Sequence, residues 1–176
     1  MRRILVVGGA GYVGSVLTEE LLHRGYAVRV LDRLYFGDGG LRAVRDRVEL
    51  IEADIRTVSP RTLDGVDTVL NVGGLSNDPT AEYNPRANHE INTAATVALA
   101  RLCKAHGVRR YVLASSCSVY DCGVMDERAD VVQDETAAVA PRAPYSLSKY
   151  EAERAILPLA DPRFCPVVLR KGTVYG

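Results

Sequence analysis

Ile4-Leu5-Val6-Val7-Gly8-Gly9-Ala10-Gly11-Tyr12-Val13-Gly14 decides the fold. A short aliphatic run passes directly into glycines spaced three apart, and an amphipathic stretch follows. The apolar run is too short for a membrane span or a signal-peptide core, so it reads as a buried strand. Gly8, Gly11 and Gly14 allow a tight turn and a close approach of backbone to a pyrophosphate. Tyr12 and Val13 open a helix whose free N–H groups and positive dipole end face the same place. With 15 glycines in the chain, chance would supply this spacing about 0.1 times, so the placement between strand and helix carries the argument. The plain alternative is a tight strand-to-helix turn that binds nothing.

Downstream, apolar runs alternate with helix-like stretches, the pattern of a parallel α/β sheet. Strands are expected at Arg3–Val7, Ala27–Leu31, Val48–Glu52, Asp67–Val72, Arg110–Ser115 and Pro166–Arg170. Helices are expected at about Tyr12–Arg24, Asn84–His106 and Tyr145–Leu159, with helical turns at Leu41–Arg45 and Pro60–Leu63. The expected architecture is a doubly wound parallel sheet of order 3-2-1-4-5-6 with helices on both faces, forming one domain over 1–176. Net charge is zero with no basic tract, which argues against nucleic acid and anionic membrane as partners. Cys103, Cys117, Cys122 and Cys165 show no C-x-x-C spacing and lie far from the histidines in sequence. We therefore expect reduced thiols in a cytoplasmic protein and no metal site. The irregular segment Asp121–Pro144 is long enough for a functional loop.

Asp32 closes the second strand 18 residues after Gly14. A carboxylate there accepts hydrogen bonds from an adenosine 2′-OH and repels a 2′-phosphate, so NAD is expected over NADP. Arg33 next door could hold a phosphate and tempers that expectation. Asp32 could also be a simple turn acid. Asp54 and Ile55, after the third strand, could cradle the adenine, or form an ordinary turn.

Tyr145-Ser146-Leu147-Ser148-Lys149 puts a phenol and an ammonium on one helix face. A positive charge beside a phenol favours phenolate, and such a tyrosine can exchange a proton with an alcohol while hydride leaves the same carbon. The chain has 19 Arg and only 3 Lys, so Lys149 is not read as a generic surface cation. Ser115 and Ser116 follow the fifth strand at the carboxyl edge of the sheet, where α/β folds bind ligands. Ser116 could equally be an inert hydroxyl at a strand end.

The glycine loop, Ser115-Ser116-x-x-Val119-Tyr120, Tyr145-x-x-x-Lys149 and Leu169-Arg170-x-x-x-Val174-Tyr175-Gly176 occur in one order. Together they make a chain that resembles the extended short-chain dehydrogenase/reductase family, in its NAD-dependent nucleotide-sugar epimerase/dehydratase branch. Asn71-Val72-Gly73-Gly74 and Ile91-Asn92-Thr93 agree with it. The resemblance implies a Rossmann fold with NAD bound across the switch point between strands one and four. It implies Tyr145 as the acid/base and Lys149 as the residue that holds the nicotinamide ribose and lowers the tyrosine's pKa. Ser116 would hydrogen-bond the reacting sugar oxygen, while Asn92, Gly73, Gly74 and Ser115 would line the cofactor.

Dehydratases that it resembles carry an acid two before Tyr120, and 3,5-epimerases a cysteine. Here that position is Ser118, which fits a 4-epimerase or a sugar ketoreductase. Cys117 lies one residue earlier and is expected to be a buried apolar filler. Asp121 stands where the family has glycine. The family continues beyond the Val-Tyr-Gly run with a smaller substrate domain, so this chain is expected to lack most substrate contacts. The resemblance thus leaves open a non-catalytic NAD-binding module, and a homo-oligomer or partner covering the exposed substrate side.

Overall fold

A computed structural model describes residues 3–120 and 133–175. Six parallel strands form one sheet in the order β3-β2-β1-β4-β5-β6. They are β1 (Arg3–Val7), β2 (Ala27–Asp32), β3 (Glu49–Glu52), β4 (Val66–Asn71), β5 (Arg110–Ser116) and β6 (Cys165–Lys171). The expected order and every strand are present, with bounds within one residue. The reason is physical: Leu5, Val6, Val30 and Val69 are fully buried, and strands covered on both faces read as continuous apolar runs.

The glycine loop hands β1 to α1 (Tyr12–His23), whose buried Gly14, Thr18, Leu21 and Leu22 form one stripe against the sheet. With Val28, Val30, Leu41 and Val44 this builds one core layer. The other face carries α4 (Thr96–Ala105) and α5 (Pro144–Ile156), and packs Leu99, Cys103 and Ile156 on Leu5, Val69, Tyr111 and Phe164. Helices therefore lie on both faces.

Two departures concern the segment after β4. A short helix, α2 (Asp78–Tyr83), precedes the expected one, capped by Asn77, whose side-chain Oδ1 accepts the Thr80 N–H at 2.8 Å. The long expected helix is then three pieces: α3 (Pro85–Asn88), a π-helical turn (His89–Ala95) and α4. Five-residue spacing inserts an extra residue, so the apolar stripe shifts in phase there while the spacing within the flanking helices stays the same. The Thr96 hydroxyl follows the same spacing and donates to the Ile91 carbonyl at 3.2 Å. At the far edge, β6 alternates exposed Cys165, Val167 and Leu169 with half-buried Pro166, Val168 and Arg170. Among the described residues, no helix is long and apolar enough to cross a membrane, and no His/Cys/Asp/Glu group could hold a metal ion.

Candidate functional site

Parallel strands bring their carboxyl ends to one edge, and the order reverses between β1 and β4, which opens a crevice there. Gly8, at φ +79°, crosses directly over Gly73: a Cβ on Gly8 would lie 2.5 Å from the Gly73 Cα. A Cβ on Gly14 would fall on the Gly8 carbonyl oxygen. The loop is thus bare backbone locked to the β4 end, with the N-terminus of α1 behind it and no side chain capping that helix. A helix start without a side-chain cap fits an anionic pyrophosphate.

Asp32 ends β2 beside this loop. Its carboxylate accepts the Ala10 N–H at 3.0 Å and the Leu34 N–H at 2.8 Å, which ties the strand end to the glycine turn. Arg33 is drawn away, donating to Asp54 at 2.6 Å and stacking 4.4 Å from the Tyr35 ring centre. Asp54 also caps a 3-10 turn at Ile55–Thr57, and its bonds with Arg56, reinforced by Arg33, hold its carboxyl down to about 2. Asp54 is therefore a local clasp, and Ile55 packs partly against the main core. Tyr12 is exposed at the mouth, with Val13 half-buried beside it.

The turn after β4 is built by Asn92, set inward by the π-helical turn. Its side chain accepts the Leu75 N–H at 2.9 Å and donates to the Leu75 carbonyl at 2.8 Å, with Asn88 2.7 Å away. A Cβ on Gly74 would collide with the Asn92 carbonyl oxygen. Asn92, expected to line the cofactor, is instead almost fully buried and props the Gly73–Gly74 turn.

Helix α5 supplies the proton-handling groups. Pro144 starts it, and the Asn88 amide donates to the Pro144 carbonyl at 2.9 Å, pinning its first turn. Tyr145 meets Ser116, whose hydrogen bond favours the phenolate. Burial dominates, however, and pushes the phenol above its ordinary pKa, aided by Asp78 and Cys117. This corrects the expectation that Lys149 lowers it. The Lys149 ammonium lies 5.7 Å from the Tyr145 ring centre and donates to the Ala114 carbonyl at 3.2 Å. Burial, and then the neighbouring Lys171, bring Lys149 itself down to about 8.

Ser115 is not brought to this group. Its hydroxyl donates to the buried Glu153 carboxylate, which Arg170 also grips at 2.7 Å, so Ser115 belongs to the sheet–helix interface. Cys117 is corrected as well: the strand ends at Ser116 and a 3-10 turn at Cys117–Tyr120 rotates the thiol outward. It lines an open cavity of about 380 Å³ with Tyr120, Gln133, Asp134, Glu135 and Arg170. Ser118 donates to the Ser116 hydroxyl at 2.8 Å, so it orients that serine. Asp121 and Cys122 lie outside the described residues. Sequence reasoning missed Asp78, Glu153 and Lys171. Of these, Lys171 carried a signal, being one of only 3 lysines, at a strand's carboxyl end.

Comparison with known proteins agrees with this fold. A family model described as the NAD dependent epimerase/dehydratase family matches residues 4–176. The sterol-4-alpha-carboxylate 3-dehydrogenase (decarboxylating) of Homo sapiens is 30% identical over 99% of this chain and 45% of its own length. UDP-glucuronic acid decarboxylase 1 of Xenopus tropicalis is 32% identical over 86% of this chain and 36% of its own. The UDP-glucose 4-epimerase of Thermus thermophilus, solved in complex with NAD, superposes with a TM-score of 0.84 at 28% identity, covering 96% of this chain and 54% of that one. The chain spans half or less of the length of the curated relatives it matches here.

Proposed function

Because the chain belongs to the NAD-dependent epimerase/dehydratase family, we propose that it binds NAD at the carboxyl edge of the sheet and acts on a nucleotide-sugar at C4, in the manner of a 4-epimerase. The observation that carries this is the convergence of Tyr145, Ser116 and Lys149, with Lys149 reaching the Gly73–Gly74 turn. The residues fit the cofactor. Gly8, Gly11 and Gly14 with the start of α1 would receive the pyrophosphate, Asp32 the adenosine ribose, and Lys149 the nicotinamide ribose. The Gly73–Gly74 turn would line the middle of the site. NAD, when bound there, supplies reversible hydride acceptance.

The chain's own groups handle the proton and the orientation. Ser116 offers a hydroxyl beside the Tyr145 phenol, so a substrate hydroxyl held by both has its proton aimed at the tyrosine oxygen. Ser118 fixes the Ser116 hydroxyl from behind. Lys149, held near 8 by burial, keeps a positive charge at neutral pH for the nicotinamide ribose, while the Ser116 hydrogen bond is what favours the phenolate against burial. A hydroxyl at Ser118, and not a carboxylate, favours proton shuttling over elimination and therefore a 4-epimerase over a dehydratase. The relatives' names differ in substrate, which supports one carbinol chemistry served to varied molecules. We place these cofactor and proton-handling parts together in one domain.

The test is a panel of nucleotide-sugars assayed for C4 exchange with NAD present, on this chain and on Tyr145→Phe. Turnover should vanish in the variant while NAD affinity stays within a few-fold, because only the proton carrier is lost. A Tyr145→Phe protein that keeps most of its rate refutes the assignment.

A further inference from the structure

Lysine is scarce here, 3 residues against 19 arginines, and the structure places two of the three at one site. Lys104 is a surface tie, 2.9 Å from Asp161 and donating to the Leu159 carbonyl at 2.7 Å. Lys149 and Lys171 both lie at the carboxyl edge, and the Lys171 charge adds to burial in holding the Lys149 pKa down.

Lys171 is the last residue of β6 and pairs in register with Ser116. Register partners in a parallel ladder project to the same face, so Lys171 stands beside the serine that meets Tyr145. It is half-buried, and among the described residues no carboxylate or hydrogen-bond acceptor engages its ammonium. Its neighbour Arg170 shows the contrast, since its guanidinium is fully engaged with Glu153 and Tyr120.

Two ammonium groups that no carboxylate among the described residues engages, in a partly dry site, generate a positive potential that draws an anionic ligand group. The position of that group follows from hexose chemistry. In a nucleotide-sugar the pyrophosphate hangs from C1, across the ring from C4. The C6 substituent is attached to C5, next to C4. An anion held beside the serine that addresses the C4 oxygen is therefore a carboxylate on the adjacent carbon.

We propose that Lys171 receives a carboxylate carried next to the reacting carbinol, so that this site takes uronic-acid-type substrates in preference to neutral sugars. The inference rests on the reading above, in which Ser116 and Tyr145 address the reacting hydroxyl.

Calorimetric titration of the chain with NAD present, using UDP-glucose and UDP-glucuronic acid, tests it. The acid should bind at least tenfold tighter than the neutral sugar. Lys171→Met should erase that ratio while leaving UDP-glucose affinity within twofold, and Lys171→Arg should retain part of it. Thermal unfolding of each variant checks that the fold is intact, as expected for a half-exposed side chain without bonds. Equal affinity for the two sugars in the unsubstituted protein overturns the proposal. So does an equal loss for both in Lys171→Met, which would mark a pyrophosphate contact. Binding of UDP-glucose without a Lys171-dependent advantage for the acid sinks this inference alone. Failure of both sugars to bind sinks the functional reading with it.

Discussion

Asp32 and Arg33 were ambiguous as neighbours in sequence, one favouring a ribose hydroxyl and the other a phosphate. The structure separates them. Asp32 accepts the Ala10 N–H of the glycine turn and the Leu34 N–H that follows it, while Arg33 is tied to Asp54. Freeing Arg33 for a 2′-phosphate means breaking that ion pair, and the Asp32 charge repels the phosphate regardless. We predict that NAD binds at least tenfold tighter than NADP, about 1.4 kcal/mol. Titration with both cofactors checks it, and equal affinities would reassign the end of β2. Lys149 makes a second prediction at this scale. Its pKa falls from 10.5 unfolded to about 8 folded, chiefly through burial. Below pH 8 both states carry the charge and the folded one bears the whole desolvation cost, about 3 kcal/mol. Between 8 and 10.5 the unfolded chain binds more protons, so stability rises with pH, and above 10.5 the cost is gone. Lys149→Met should therefore stabilise the protein at pH 7 by up to that amount, with the gain shrinking to nothing by pH 10.5. Urea unfolding at both pH values decides it; a gain that does not depend on pH would mean that packing, not charge, is responsible.

At the scale of elements, the parts readable from sequence were those governed by burial. The strands β1, β2, β4 and β5 are apolar runs closed by glycines or polar turns, and their bounds follow from that pattern alone. What the pattern hides is any feature set by tertiary geometry. The π-helical turn at His89–Ala95 leaves the apolar spacing of its neighbours intact, yet it decides where Asn92 points. Cys117 was expected to be a buried filler, but the strand had already ended at Ser116 and the following 3-10 turn exposes it. Ser115 and Ser116 look equivalent in sequence, and the pleat sends one to Glu153 and the other toward Tyr145. Asn92 offers the test of this level. Asn92→Ala removes both bonds to Leu75 and leaves that backbone N–H without its acceptor. The expected cost is about 1–3 kcal/mol in chemical unfolding. NAD affinity should drop as well, because the Gly73–Gly74 turn loses its prop. Unchanged stability would mean that the turn is held by the Gly8–Gly73 contact alone.

Over the whole molecule, the site is a product of topology and not of any one element. The glycine turn belongs to β1 and α1, Asp32 to β2, the Gly73–Gly74 turn to β4, Ser116 to β5 and Lys149 to α5. They meet because six parallel strands end at one edge and the order reverses between β1 and β4. A ligand that touches all of them binds only when the sheet is assembled, so its binding free energy adds to global stability and not to one loop. At a free NAD concentration one hundred times its dissociation constant, the gain is about 2.7 kcal/mol. For a domain of this size, each kcal/mol moves the unfolding midpoint by about 2–4 °C. We therefore predict a rise of roughly 5–11 °C with NAD, and a shift for NADP at the same concentration that is smaller by the margin Asp32 imposes. Scanning calorimetry with each cofactor gives both numbers on one protein. The two parts fail separately: no shift with NAD would show that the edge does not form a cofactor site in this chain. Equal shifts would leave the site standing and remove Asp32 as its selector.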